Sequence, residues 1–258
     1  MNNNQITNYN GRDIKIGSIA ENNEIIKDHM LAHFNLNETE TDNWFLRFNS
    51  QVKEMNNFIK LTSDKKVLFD IGSQFGSFSF PFLGNSDDKR VFAFDGGINP
   101  FLTTSQIKII NNLNNFNVFN FLIGNQDEIV KCFSESLQSL ALPGNDTRLM
   151  FRIDTLCSVF DTYPDVIKID IEGCEYQALL GSIDTITNYQ PMIFIEVHPK
   201  FLTQYQNNIN DIVEFVKMIN YDVYDLNQNK VENYLEVLQQ EQTDSNRTVW
   251  VPKNIKYA

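Results

Sequence analysis

Five short runs of apolar, β-favouring residues separated by helix-length stretches constrain the fold more than any other feature of this 258-residue chain. They are Val67-Leu68-Phe69-Asp70, Val91 to Asp95, Val118 to Ile123, Val166 to Asp170 and Met192 to Glu196. Each is nearly continuous in its apolar residues, so each needs an apolar covering on both sides. Strands of that kind with helices between them form a parallel sheet buried on both faces. Two later runs, Tyr221 to Tyr224 and Thr248 to Pro252, read as a closing antiparallel pair. The expectation is an α/β fold, a doubly wound and mostly parallel seven-stranded sheet.

Two segments stand outside that pattern. Residues 1–62 carry helical spacing at Ile25, Ile26, Met30 and Phe34, then at Phe45, Phe48, Val52, Met55 and Ile59, which predicts an N-terminal helical cap ahead of a domain spanning 63–258. Ile129 to Phe133 and Leu149 to Ile153 flank a turn-rich Pro143-Gly144-Asn145-Asp146, which predicts a β-hairpin insert near the carboxyl edge of the sheet.

Composition narrows the partners. Hydrophobic residues at 42% and charged residues at 21% suit a folded globular chain. A formal charge of −12 repels phosphate backbones and anionic lipid, so nucleic acid and membrane are not expected as partners. Cys132, Cys157 and Cys174 lie far apart without C-x-x-C pairing, which fits a reducing compartment. Met1-Asn2-Asn3-Asn4-Gln5 is polar and no run approaches the roughly 18 apolar residues of a membrane span. The reading is cytoplasmic. His29 and His33 share a helical spacing, but without an adjacent Glu they read as surface histidines.

The chemistry begins after the first strand. Asp70-Ile71-Gly72-Ser73-Gln74-Phe75-Gly76 is a D-x-G-x-x-x-G turn between a buried strand and an apolar helix start at Phe78 and Phe80. Glycines there let backbone approach a ligand and direct amide groups toward it. Asp95 ends the second strand, where a carboxylate accepts hydrogen bonds from both hydroxyls of a ribose. Together they predict an adenosine-containing cofactor. A nicotinamide cofactor needs a middle glycine against its pyrophosphate, and that position is Gln74. S-adenosylmethionine has no pyrophosphate and tolerates the bulkier turn. The cofactor-binding set is therefore Asp70, Gly72, Ser73, Gln74, Phe75, Gly76, Asp95 and Asp170.

A second constellation, Lys168-Ile169-Asp170-Ile171-Glu172-Gly173-Cys174-Glu175, places three carboxylates at and just past the end of the fourth strand. Ligands in open α/β sheets bind outside the carboxyl ends of such strands. Glu172 and Glu175 also have a plainer use, complementing the dipole of the following helix.

This run resembles the signature of the FkbM family of methyltransferases, a lysine-bearing strand ending in D-x-E-G-x-E. The resemblance extends to the Asp70 to Gly76 turn, Thr155-Leu156 and the proline-led strand Pro191 to Glu196, within residues 66 to about 253. It implies a Rossmann-like class I methyltransferase fold and S-adenosylmethionine-dependent O-methylation of a hydroxyl on a sugar, glycan or other small metabolite. Two positions depart from the family: Phe94-Asp95-Gly96-Gly97 replaces Phe-Glu-Pro, and Cys157 stands where Asp is common. The altered Asp95 segment leaves a non-catalytic module of the same fold as the main alternative, ahead of a nicotinamide-dependent oxidoreductase.

A hydroxyl is a weak nucleophile at neutral pH and benefits from a positioned base or a metal ion. Asp170, Glu172, Glu196 and His198 are the catalytic candidates. Either Asp170 or His198 serves as general base, or Asp170, Glu196 and His198 hold a divalent ion; spacing does not choose between them. The acceptor and the oligomeric state are not legible in the pattern.

Overall fold

The computed structural model describes residues 6–9, 12–15, 52–84, 86–132, 146–240 and 247–254. Its centre is a seven-stranded sheet built from β3 (Val67–Ile71), β4 (Arg90–Phe94), β5 (Phe116–Phe119), β9 (Val166–Ile169), β10 (Met192–Glu196), β11 (Tyr221–Tyr224) and β12 (Arg247–Pro252). Their order across the sheet is β11-β12-β10-β9-β3-β4-β5. The pairs β10/β9, β9/β3, β3/β4 and β4/β5 are parallel, and β12 runs antiparallel between β10 and β11. The doubly wound α/β sheet expected from the sequence is the one observed.

Burial explains the continuous apolar runs. Every residue of β3 and β9 is buried. Successive side chains point to opposite faces, so Phe69, Ile71, Phe92, Phe94, Ile167 and Trp250 enter one core layer. Leu68, Val91, Ala93, Val166, Phe194 and Val249 enter the other. Phenylalanine fills much of the second layer: Phe58, on α1 (Val52–Leu61), meets Phe78 and Phe194 edge-on at centroid distances of 5.0 and 4.8 Å. Such pairs contribute about 1 kcal/mol beyond their buried area.

Helices cover both faces: α2 (Ser79–Leu83), α3 (Ile98–Ile110), α4 (Ile153–Phe160), α5 (Glu175–Leu180), α6 (Ile183–Tyr189), α7 (Pro199–Leu202), α8 (Ile209–Ile219) and α9 (Tyr234–Gln239). Helix α8 starts on a capping box between Asn208 and Asp211 and buries Ile212, Val213, Phe215 and Val216.

One expected strand divides. Val118 to Ile123 is not continuous: β5 stops at Phe119, and Leu122–Ile123 forms β6 in a separate sheet ordered β6-β8-β7 with β7 (Glu128–Cys132) and β8 (Asp146–Phe151). At the break, Asn120 Nδ2 donates to the carbonyls of Asp95 (2.9 Å) and Gly97 (3.3 Å). The expected insert is present as the antiparallel pair β7/β8, extended by β6 into three strands. Ile153, expected in its second strand, begins α4 instead.

In the N-terminal stretch the structure describes β1 (Ile6–Tyr9) paired antiparallel with β2 (Arg12–Lys15), and helix α1. The helical spacing from Ile25 to Phe48, with His29 and His33, lies outside the described residues.

Candidate functional site

Four parallel strands deliver four carboxylates to one edge. Asp70 lies within β3 next to its end, Asp95 directly follows β4, Asp170 directly follows β9, and Glu196 ends β10. Because β12 is antiparallel, its first residue, Arg247, reaches the same edge and pairs in register with Glu196.

The glycine turn after β3 is shaped by a close crossing. Gly72 has φ +73°, and a Cβ there would stand 1.9 Å from the carbonyl oxygen of Asp170. Gly72 therefore lets β3 and β9 end side by side. Much of the turn's amide capacity is used internally: Gly72 N and Ser73 N donate to Phe94 O, Gly76 N to Ser73 O, and Gln74 N to Asp95 Oδ2. Thr104 Oγ1 on α3 donates to Gln74 O. Ser73 Oγ is buried without a hydrogen-bond partner, a polar atom available to a ligand.

Asp95 is only 3% exposed, with Oδ2 accepting from Gln74 N and Oδ1 from Gly97 N, both at 2.8 Å. Burial pushes its carboxyl up to about 6, against the opposing pull of those amides and of Lys168. Arg148 Nε on β8 donates to Gly96 O, so the insert braces the Asp95-Gly96-Gly97 segment. A recess opens here, with Asp95 and Gly96 on one side, Phe121, Leu122 and Ile123 on another, and Ile171 and Cys174 beyond. Apolar walls around one carboxylate match the chemistry of a flat heterocycle carried on a ribose.

Lys168 bridges the middle of the edge, between the ends of β3 and β9. Its ammonium donates to Gly72 O at 2.7 Å and lies 3.5 Å from Asp70 Oδ1 and 3.7 Å from Asp170 Oδ2. Burial works against its charge, but Asp170, Asp70 and Glu196 outweigh it and raise its pKa. Asp70 Oδ2 in turn accepts from Ser79 Oγ at 2.6 Å.

The second cluster gathers around His198. Its Nδ1 is 2.8 Å from Glu175 Oε1, and its Nε2 faces Asp170 Oδ1 at 3.9 Å and Glu196 Oε1 at 3.7 Å. Arg247 Nε donates to Glu196 Oε2 at 2.5 Å. Burial pushes the imidazole down, yet Glu175, Asp170 and Glu196 outweigh it and lift its pKa to about 9. Burial, with Asp170 adding to it, pushes Glu196 up to about 7 despite Arg247. A recess lies alongside, lined by Asp170, Glu196, Lys168 and Arg247 together with Phe78 and Leu226.

Of the sequence-predicted site residues, Asp170, Glu196 and His198 come together, and Asp70, Gly72, Gln74 and Asp95 are linked by the turn. Glu172 is half-buried at φ +51°, and no hydrogen bond or ion pair joins it to the cluster among the described residues. Its expected place beside His198 is taken by Glu175, fully buried with both carboxylate oxygens accepting from Gly173 N. Sequence reasoning missed the roles of Glu175 and Arg247. The spacing of the D-x-E-G-x-E run carried a signal for the first; only strand register reveals the second.

The sheet order and the reversed β12 separate this chain from dinucleotide-binding sheets, whose order is 3-2-1-4-5-6. They are the arrangement of the class I methyltransferase fold, and that is the fold of this chain. Residues 150–223 match the model of the methyltransferase FkbM domain, a segment that contains Lys168 to Glu175, Glu196 and His198. No curated protein matches the sequence.

Among solved structures, the chain is similar to the methyltransferase FkbM from Methylobacillus flagellatus KT, at 17% identity and a TM-score of 0.49. That match covers 73% of this chain and 44% of the other, so this chain spans less than half the length of that relative. It is also similar to the ribosomal protein L11 methylase of Lactobacillus delbrueckii subsp. bulgaricus, at 10% identity, a TM-score of 0.43, and coverage of 83% and 78%. Among the described residues no helix is long and apolar enough to cross a membrane.

Proposed function

We propose that this protein transfers a methyl group from S-adenosylmethionine to a hydroxyl oxygen of a sugar, glycan or other small metabolite. The observation that carries the reading is the convergence of Asp170, Glu196 and His198 where β9 and β10 end, beside a second recess whose walls match the chemistry of an adenosine. When bound, S-adenosylmethionine supplies an electrophilic methyl on a sulfonium. The protein's own groups do the remainder.

In this reading Asp95 accepts from the ribose hydroxyls through the lone pairs that the amides of Gln74 and Gly97 leave open. Phe121 to Ile123 flank the adenine, Ser73 Oγ finds its partner on the ligand, and Gly72 to Gly76 shape the wall between the recesses. Asp70, with Lys168 beside it, sets the field at the turn. The acceptor hydroxyl stands in the recess against Asp170 and Glu196, where its proton leaves toward the cluster as the oxygen takes the methyl group. Holding oxygen and methyl in line is itself a large part of the rate. The N-terminal segment 1–62 and the β6-β8-β7 insert contribute acceptor specificity to the domain at 63–258, and the chain works in the cytoplasm.

The test is S-adenosylhomocysteine formation with a panel of hydroxylated acceptors, including nucleotide sugars and oligosaccharides. Turnover with at least one acceptor, reduced 100-fold or more in Asp170→Asn while cofactor binding persists, is the expected result. Cofactor binding without turnover on any acceptor would support the non-catalytic module instead.

A further inference from the structure

Three ligand-bearing side chains converge at the carboxyl edge, and each is held by its far atom and open at its near one. His198 is anchored through Nδ1 by Glu175 at 2.8 Å, which leaves Nε2. Glu196 is anchored through Oε2 by Arg247, which leaves Oε1. Asp170 sets Oδ2 toward Lys168 at 3.7 Å, which leaves Oδ1. The open atoms face one another, with Nε2 3.9 Å from Asp170 Oδ1 and 3.7 Å from Glu196 Oε1. One ligand atom from each residue lies within 4.8 Å of the other two.

Those gaps are too long for hydrogen bonds. They leave room for a shared ion on which the side chains close: ligands bonded at about 2.1 Å to an octahedral metal stand about 3 Å apart in adjacent positions, nearer than the gaps seen here. The anchoring contacts also have the form that metal sites use. A ligating histidine gives its other ring N–H to a carboxylate, which fixes the tautomer and aims the free lone pair.

We infer that Asp170, Glu196 and His198 bind one divalent metal ion of the magnesium or manganese type, with Glu175 and Arg247 as positioning residues. One imidazole among carboxylates admits Mn²⁺ more readily than ions that demand soft ligands. The role of the ion rests on the methyl-transfer reading above. In the recess beside the cluster it would receive the acceptor hydroxyl and lower that hydroxyl's pKa, so that with the cluster atoms occupied the proton would leave to solvent instead of to the cluster.

The experiment titrates the metal-free chain with Mn²⁺, followed by electron paramagnetic resonance and calorimetry, with thermal unfolding to establish that each variant is folded. About one Mn²⁺ per chain is expected. Glu196→Gln and His198→Ala each weaken binding tenfold or more, and Glu175→Gln weakens it by about 10- to 100-fold although Glu175 does not touch the ion. No binding of Mn²⁺ or Mg²⁺ at millimolar concentration, or equal binding by wild type and folded Glu196→Gln, overturns the site. Methyl transfer that survives exhaustive chelation overturns the ion's role and leaves the proposed function standing. Stoichiometric Mn²⁺ binding without methyl transfer to any acceptor supports the site and counts against that function.

Discussion

Asp95 and Asp170 stand at the two ends of one crevice and are held in opposite ways. Both oxygens of Asp95 are fixed by backbone amides, from Gln74 and Gly97, in a setting only 3% exposed. Asp170 is fixed by charge, with Lys168 on one oxygen and His198 facing the other. A carboxylate held by amides moves only if the chain moves, so the Asp95 end, proposed above to hold adenosine, is rigid by construction. A carboxylate held among charged side chains responds to whatever ion or proton enters, so the acceptor end can change its electrostatics without changing the fold. Binding of a constant cofactor suits the first arrangement, and activation of a nucleophile suits the second.

The largest effect is expected in the middle of the edge, between the ends of β3 and β9. Lys168→Met removes the cation between Asp70 and Asp170 while filling its space. Asp70 is fully buried, so breaking this network is expected to cost about 3–5 kcal/mol in urea unfolding. A loss below about 1 kcal/mol would break the comparison, because it would mean that charge is not what holds the Asp170 end.

Asp95→Asn comes next and tests the amide-held end. Losing a charge-assisted hydrogen-bond acceptor is worth about 1.5–3 kcal/mol, so affinity for S-adenosylhomocysteine is expected to fall about 10- to 100-fold by calorimetry. The pH dependence sharpens the test through its sign. Burial lifts this carboxyl from 3.8 to about 6, so between those values the folded chain holds a proton that the unfolded chain has lost. Through this group, stability therefore rises as pH falls through about 6. Cofactor affinity falls over the same interval, because the ionised carboxylate is the better acceptor. Wild type minus Asp95→Asn isolates both trends, and trends of the same sign would remove Asp95 from the ribose.

The sequence made these two ends legible to different degrees. The sheet could be read because burial on both faces demands continuous apolar runs, as in Val67 to Asp70 and Val166 to Asp170. The Asp95 end could be read because its geometry is local: a glycine turn and a strand-end carboxylate lie in one βαβ unit. The Asp170 end is assembled from β9, α5, β10, α7 and β12, and its partners are far apart in sequence. Arg247 lies 51 residues from Glu196 and meets it only because β12 is antiparallel to β10. Asn120 shows the same limit, since Val118 to Ile123 has strand composition throughout and the break in it coincides with a side-chain bond to Asp95 O.

Glu172 and Glu175 give the smallest effect and the finest test. Sequence names Glu172 as a catalytic candidate and offers the helix dipole as the plainer use of both Glu172 and Glu175; the structure sets Glu175, not Glu172, against His198. Glu172 sits at φ +51° at a turn, whereas Glu175 is fully buried against His198 and Gly173 N. Glu172→Gln keeps size and shape and breaks no ion pair, so stability is expected to change by less than about 0.5 kcal/mol, as at other sites free of buried partners. Turnover should stay within about threefold of wild type. Glu175→Gln removes the charge that faces the imidazole and should alter turnover by far more. If Glu172→Gln proved the more damaging of the two, the acceptor end would be organised from the turn, by local backbone, and the contrast with the Asp95 end would disappear.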